Sequence, residues 1–375
     1  MALGSGVPWL EAHCHIDLAR ALLERGDRRQ WEPHIAAARS IGQTMRSAVV
    51  EYLCLEAEAV AAFGTGRRND AMERLTRALA VSHAMGGATW RMLGAQASVP
   101  LYEHALSAGI EVGHVQHSIR QHRLAPADPA TVSDHWPWPI RLYTLGRFEI
   151  LLDDAPLRSS GKAQHKPLEL LKCLCAFGGQ AVAQDRVTDA LWPDAAGDAA
   201  DQALRTTLHR LRKLLGHDQV LRLEDRHLHL DPRLLWADCL AFDRAAHHPR
   251  TVDRASLELA LGRYRGPFLN GESAFWAIAF RDRLRAHYMG MSERLGALLE
   301  AEGDWPAAVD RYLRALEIEP MAEGFYRRLM HCYAQLGRRA EALAVYQRCR
   351  QTLLGRLGVS PTPATQLLYR ELAEG

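Results

Sequence analysis

The chain has 375 residues and 46 Lys and Arg against 44 Asp and Glu, a net charge of +2. That length sets an expectation of two or three domains, each able to bury its own core, while the near balance removes overall charge as an argument for nucleic acid. No run of about 18 apolar residues occurs, which excludes a membrane-spanning helix.

The opening "MALGSGVPWLEAHCHIDLAR" has no basic segment followed by an apolar one, so no secretory leader is expected. Seven cysteines without a Cys-x-x-Cys pair read as buried, reduced thiols in a cytoplasmic protein. Residues 9–123 read as helices throughout. "ERGDRRQWEPHIAAARSIG" (24–42) and "GTGRRNDAMERLTRALAVSHAMG" (64–86) each run glycine, basic turn, then a helix holding small residues, with Gly26 and Gly66 40 positions apart. That spacing predicts helical hairpins of tetratricopeptide type with longer helices. In "HCH" (13–15) the two histidines lie two apart and diverge on a helix, so no shared metal is expected. "APADPATVSDHWPWP" (125–139), with four prolines, reads as a linker.

After the linker the period changes. "IRLYTLGRFEILLDDAPL" (140–157) predicts a hairpin turning at Asp153-Asp154 before a short strand at Leu157. "HKPLELLKCLCAFGG" (165–179) predicts a helix beginning at Pro167 and stopping at Gly178-Gly179. Its Cys173 and Cys175 point in different directions. "QDRVTDALWP" (184–193) is a second helix, ended by Pro193. A third helix begins near Asp198 and runs through "ALRTTLHRLRKLLG" (203–216); Asp198 and Asp201 suit the positive end of its dipole. Leu204, Leu208, Leu211 and Leu215 share one stripe, while Arg205, His209, Arg212 and Lys213 lie around the other side with Thr206 between them. Residues 185–201 carry five acids and one Arg, whereas 203–216 carry four cations and no acid. "VLRLEDRHLHL" (220–230) alternates Val220, Leu223, Leu228 and Leu230 around a charged tip and reads as a second hairpin. His227 and His229 point outward together but lack a third metal ligand.

Strands, three helices and a hairpin, in that order, make a winged helix-turn-helix. Its core would hold Leu170, Leu171, Leu174, Leu191, Trp192, Leu208 and Leu211. The third helix then enters the major groove and the hairpin lies along the backbone. The expected DNA contacts are Arg205, Thr206, His209, Arg210, Arg212 and Lys213 on the helix and Arg222 and Arg226 on the wing. Arg205, nearest the entering end, is the candidate for guanine; Lys and His more often meet phosphate. A solvated basic face is the competing reading.

From about residue 251 the chain is helical again, with the clearest repeat. Gly303 and Gly337, Ala308 and Ala342, and Tyr312 and Tyr346 recur at 34 residues, with Trp305, Ala315 and Pro320 filling further positions of the first copy. The fold class is therefore mainly α with a small α+β domain: helical repeats flanking a winged helix. "SSGKAQ" lacks the upstream glycine and the hydroxyl of a phosphate loop, and no H-E-x-x-H, G-x-S-x-G or paired-carboxylate site occurs. No enzyme, cofactor or metal is expected.

The stretches "LYTLGRFEILLDDAPL", "KPLELLKCLCAFGG", "DALWP", "ALRTTLHRLRKLLG", "YRGPFL", "AFRDRLR" and "FYRRLMHCYAQLGRRAEALAVYQRCRQTLLGRLGVSPTPAT" occur in the order found in the SARP-like transcriptional activators, and residues 140–372 resemble that family. The resemblance implies an OmpR-like winged helix at 140–235 and a bacterial transcriptional activation domain of tetratricopeptide type at 236–375. The first 124 residues resemble the helical sensor arrays of MalT-like regulators, before a linker at 125–139. Implied partners are double-stranded promoter DNA, RNA polymerase, a second protomer on DNA, and a ligand or protein at the N-terminal repeats; the implied place is the cytoplasm, at the nucleoid. The alternative is a repeat scaffold whose winged helix no longer binds DNA. Two positions depart from the family pattern. Ala183 stands where a Ser or Thr caps the second helix, at a cost of about 0.5–2 kcal/mol, and Arg226-His227 stands where the second wing strand often opens with Gly-Tyr.

Overall fold

A computed structural model describes residues 6–25, 30–86, 95–126, 132, 135–157, 164–195, 197–247 and 253–374. The chain forms two compact units, Met1–Pro137 and Trp138–Gly375. In the first, α1 (Pro8–Glu24), α2 (Trp31–Thr44), α3 (Ala48–Gly64), α4 (Arg68–Ala84), α5 (Val99–Ser107) and α6 (Val112–His122) follow one another. Ser47 caps α3 by accepting the Val50 amide. A Cβ on Gly42 would sit 2.6 Å from the Val50 side chain, so the small residue sets how closely α2 approaches α3. Gly66 takes φ +80° in the turn between α3 and α4, whereas Gly26, the other end of the 40-residue period, lies outside the described residues. Inside this unit the Arg20 guanidinium lies 3.7 Å from the Glu56 carboxylate, which also accepts from Tyr102 and Ser98.

The second unit opens with β1 (Ile140–Tyr143), β2 (Glu149–Leu152) and β3 (Ala155–Pro156). β1 and β2 pair antiparallel in the register Ile140 to Leu152, and Asp153 and Asp154, both at positive φ, make the two-residue turn into β3. Next come α7 (His165–Ala176), β4 (Val182–Ala183), α8 (Gln184–Leu191) and α9 (Gly197–Leu215). β5 (Leu221–Glu224) and β6 (His227–Leu230) then form the second hairpin, and β7 (Leu235–Ala237) returns to pair parallel with β1. The sheets run β3-β2-β1-β7 and β4-β6-β5.

Several local expectations shift. α7 starts at His165 rather than Pro167; proline's missing amide still costs nothing, because the first four amides of a helix have no partner within it. The third strand stops at Pro156, although Leu157 still bonds its amide to Ile150 O at 2.8 Å. Val220 lies in a 3-10 turn before the wing. Ala183 does stand at the start of α8 without a side-chain cap bond. "SSGKAQ" lies almost wholly outside the described residues.

Beyond β7 the chain continues as α10 (Asp238–His247), α11 (Arg254–Arg263), α12 (Phe275–Ala301), α13 (Trp305–Ile318), α14 (Glu323–Gln335), α15 (Arg339–Leu357) and α16 (Pro363–Glu374). The 34-residue period has a direct structural meaning. Gly303 and Gly337 take φ +76° and +69° in the turns before α13 and α15, and Ala308 and Ala342 are fully buried at the helix crossings. The Tyr312 ring occupies the space a Cβ on Gly296 would need, 2.3 Å away.

A single apolar core runs from Ile140 through Leu170, Leu208, Phe242, Phe268 and Phe280 to Leu353. The winged-helix segment and the repeats that follow it therefore share one interior. Their joint is built by backbone. Leu269 donates to Thr144 O at 2.8 Å, Gly146 donates to Pro267 O at 3.1 Å, and Leu145 bridges Phe268. Gly146 is required there, because it takes φ +84° and a Cβ would stand 2.8 Å from Arg265 O. Arg281 then donates to the carbonyls of Phe268, Leu269 and Glu272. The stretches "YRGPFL" and "AFRDRLR" are thus joint residues.

Candidate nucleic-acid interface

α9 is built to expose one face. Leu204, Leu208, Leu211 and Leu215 are buried in the core, with Thr207 beside them. Arg205, Thr206, His209, Arg210 and Lys213 are exposed. Among the described residues the side chains of Arg205, His209, Arg210 and Lys213 have no hydrogen-bond or ion-pair partner, while Thr206 bonds back to Gln202 O at 2.9 Å. Elsewhere among the described residues of the segment, Arg141 pairs with Asp154, Arg147 with Glu149, Lys166 with Glu169 and Lys172 with Glu272, while Arg186 lies over the Phe177 ring. Among the described residues of this segment, basic side chains without a partner are concentrated on the outer face of α9.

Three expected contacts are placed differently. Arg212 is half-buried, and its Nε and Nη2 donate to Leu221 O at 3.0 and 2.7 Å. It ties the end of α9 to the base of the wing. Arg222 donates to Glu224 along its own strand at 3.2 Å. Arg226 sits at the wing tip with φ +59°, following Asp225 at +48°, in a turn where glycine or asparagine is the usual choice. Its guanidinium donates to Asp185 of α8 at 2.5 Å and lies 3.9 Å from Asp201 of α9. Gln184 donates to the same Asp201 at 2.6 Å. The acids of 185–201 thus hold the wing tip and the start of α9 in one arrangement.

The sequence reading missed β4, which adds a third strand to the wing by pairing Val182 with Leu228. It also missed two buried acids. Asp231, at the wing's exit, accepts the Arg233 amide and guanidinium at 2.6–3.0 Å. Burial pushes its carboxyl up, but the Arg233 bonds outweigh this and hold it below the usual value. Asp238, at the start of α10, accepts from the Thr144 amide and hydroxyl and from the Leu145 and Cys239 amides. Burial pushes its carboxyl up to about 6, against the opposing pull of those bonds. No local pattern marks Asp238 in the sequence, because its partners Thr144 and Leu145 lie nearly a hundred residues upstream.

The other motifs resolve plainly. His13 bonds to Trp9 O on its own helix, while His15 meets His34 of α2 at 2.9 Å. His229 accepts the Ala181 amide. No group of three or more potential metal ligands occurs among the described residues, and all seven cysteines are free. No described helix is long and apolar enough to cross a membrane.

This geometry defines a class: a winged helix continuous with a helical-repeat domain. Residues 240–373 match the family model of the bacterial transcriptional activator domain. The regulatory protein AfsR of Streptomyces griseus is 31% identical over 224 residues, which are 58% of this chain and 23% of AfsR. The transcriptional regulatory protein MoaR1 of Mycobacterium bovis is 25% identical over 225 residues, 55% of this chain and 71% of MoaR1. A solved structure of Mycobacterium tuberculosis EmbR in complex with a low affinity phosphopeptide aligns at 22% identity and a TM-score of 0.48, covering 63% of this chain and 65% of that one. The chain thus spans less than a quarter of AfsR's length. Over the stretches they share, the chain is similar to SARP-like regulators, and its residues 240–373 resemble the bacterial transcriptional activator domain.

Proposed function

We propose that the chain is a DNA-binding transcriptional regulator, acting as an activator, that reads promoter DNA through α9 and the β5–β6 wing. The observation that carries this reading is the unpartnered basic face of α9. A surface helix with no DNA role gains from i,i+4 acids beside its cations, and none stands here between residues 203 and 216. Carboxylates are kept instead on the adjoining segment, where they hold the wing. In sequence terms the modules are 1–124, 125–139, 140–235 and 236–375. The repeats of the last offer a surface for RNA polymerase and for a second protomer on DNA, and the first unit receives a ligand or protein signal. Such a protein works in the cytoplasm, at the nucleoid.

The test is fluorescence anisotropy with duplexes from upstream of the protein's own and neighbouring genes, across a salt series. Affinity falls steeply with salt, because several phosphates exchange counterions for protein cations. Absence of binding even at low salt overturns the reading in favour of a repeat scaffold.

A further inference from the structure

A groove of about 530 Å³ opens between α11, α12 and α13, within the range of about 300–1,000 Å³ typical of small-molecule sites. Tyr264 and Tyr288, with ring centroids 4.6 Å apart, line it together with Leu295 and Leu299. Arg311 of α13 also lines it and is only 8% exposed. Its guanidinium lies 5.0 Å from the Tyr288 ring centre, and one terminal nitrogen donates to the Tyr288 hydroxyl. Its Nε is buried without a hydrogen-bond partner, and no carboxylate pairs with Arg311 among the described residues. Burying a guanidinium without a counter-ion is costly, and structures keep such a charge where something supplies the opposite one.

The acids around the groove do not supply it. Glu258 is engaged by Arg254 at 2.9 Å and Asp310 by Arg314 at 2.9 Å. Glu317 is exposed at the rim, as is Arg265, so these two offset each other in solvent. Arg311 remains as an uncompensated cation beneath an aromatic and aliphatic wall.

We propose that this groove binds a small organic anion, with Arg311 receiving its carboxylate or phosphate and Tyr264, Tyr288 and Leu295 packing against its apolar part. A charged, planar donor at the base and rings at the side suit a ligand with one acidic group and an aryl or alkyl body. Tyr264 and Arg265 lead directly into Gly266 and the segment bonded to Thr144 and Gly146, so the occupied groove borders the joint.

The test is calorimetric titration of the full chain with 4-phenylbutanoate, phenyl phosphate and the neutral 4-phenylbutanamide. At least one anion binds, its head group showing whether carboxylate or phosphate is preferred, and the amide binds at least about tenfold more weakly. Arg311→Met reduces anion binding by about tenfold or more, while its melting temperature without ligand stays level or rises because the buried charge is gone. Ala307→Trp, which fills the groove from its wall and leaves Arg311 in place, also reduces binding and decides the matter if Arg311→Met fails to fold. No binding of either anion up to about 10 mM, a weak limit for a site of this size, overturns the proposal. So does equal binding of the amide, parent-like binding by either variant, or a marked fall in the melting temperature of a folded Arg311→Met, which would make Arg311 a structural residue.

Discussion

Arg205 and Lys213 stand about two turns apart on the exposed face of α9, and they carry different expectations. Arg205 is the nearer of the two to the N-terminal end of α9, the end proposed to enter the groove. Arg205→Ala is expected to cost about 1–3 kcal/mol on the cognate duplex and to relax preference at one base position. Lys213→Ala is expected to weaken cognate and random duplexes alike and to lower the salt slope. Parent-like binding by both would leave α9 a solvated surface. Arg212→Ala separates position from contact: its two bonds to Leu221 O hold the wing base, so thermal stability falls along with affinity, whereas Arg205→Ala leaves the melt unchanged. Asp238 gives a pH signature. Its folded value of about 6 exceeds the ordinary 3.8, so the folded state binds the proton more tightly between those values. Its contribution to stability therefore weakens as pH rises through that window and is at its lowest above pH 6. At about 1.4 kcal/mol per pK unit, the stability of the parent relative to Asp238→Asn falls by about 2 kcal/mol from pH 4 to 6.5. Urea melts at the two pH values check this; a relative stability of the parent that rises with pH would mean that Asp238 is held as a charged group.

At the scale of elements, the two tyrosines of the 34-residue repeat are equivalent in sequence but not in surroundings. Tyr312 is fully buried, packs against Gly296 and bonds its hydroxyl to Glu300 at 2.8 Å. Tyr346 is also buried, though 9% exposed, and stacks on Tyr369 of the last helix, with centroids 4.0 Å apart. Tyr312→Ala is expected to cost about 3–5 kcal/mol and Tyr346→Ala about 2–3 kcal/mol. Urea melts of the full chain compare them, and equal losses would contradict the difference in packing. The repeat was legible because glycine, alanine and tyrosine each answer a local need that recurs once per helical hairpin. The α9 stripe and the β5–β6 alternation were legible for the same reason: period reports which face is buried. β4 and β7 were not, since strands of two and three residues are too short to show a period and exist only through distant partners, Leu228 and Ile140. Within the candidate interface the period placed Arg212 with the exposed cations. A helical wheel gives the direction of a Cβ, not the reach of a guanidinium that turns back to Leu221 O. Arg226 was legible as a wing-tip cation, but its engagement by Asp185 depends on α8 lying beneath the tip.

At the scale of the molecule, the proposed module boundary near residue 235 runs through a shared interior. Phe268 and Leu269 close against Thr144 and Leu145, and Phe280 packs edge-on to Phe268 at 4.8 Å between centroids. A fragment of residues 140–250 contains the winged-helix elements yet lacks all three of these apolar side chains. At about 1.5–3 kcal/mol for each buried side chain, their loss removes roughly 5–9 kcal/mol, the same scale as the roughly 5–15 kcal/mol that holds a whole domain together. The fragment also leaves Asp238's partners Thr144 and Leu145 without the strand-like segment that covers them. Residues 138–375 are therefore expected to be soluble and to melt in one cooperative transition, with the winged helix and the repeats unfolding together. The 140–250 fragment is expected to melt far lower, or to aggregate through the exposed face of its core. Circular dichroism melts of the two fragments decide this. A 140–250 fragment that melts cooperatively at the same temperature as 138–375 would show that the joint carries little energy, and that the winged helix is free to move independently of the repeats.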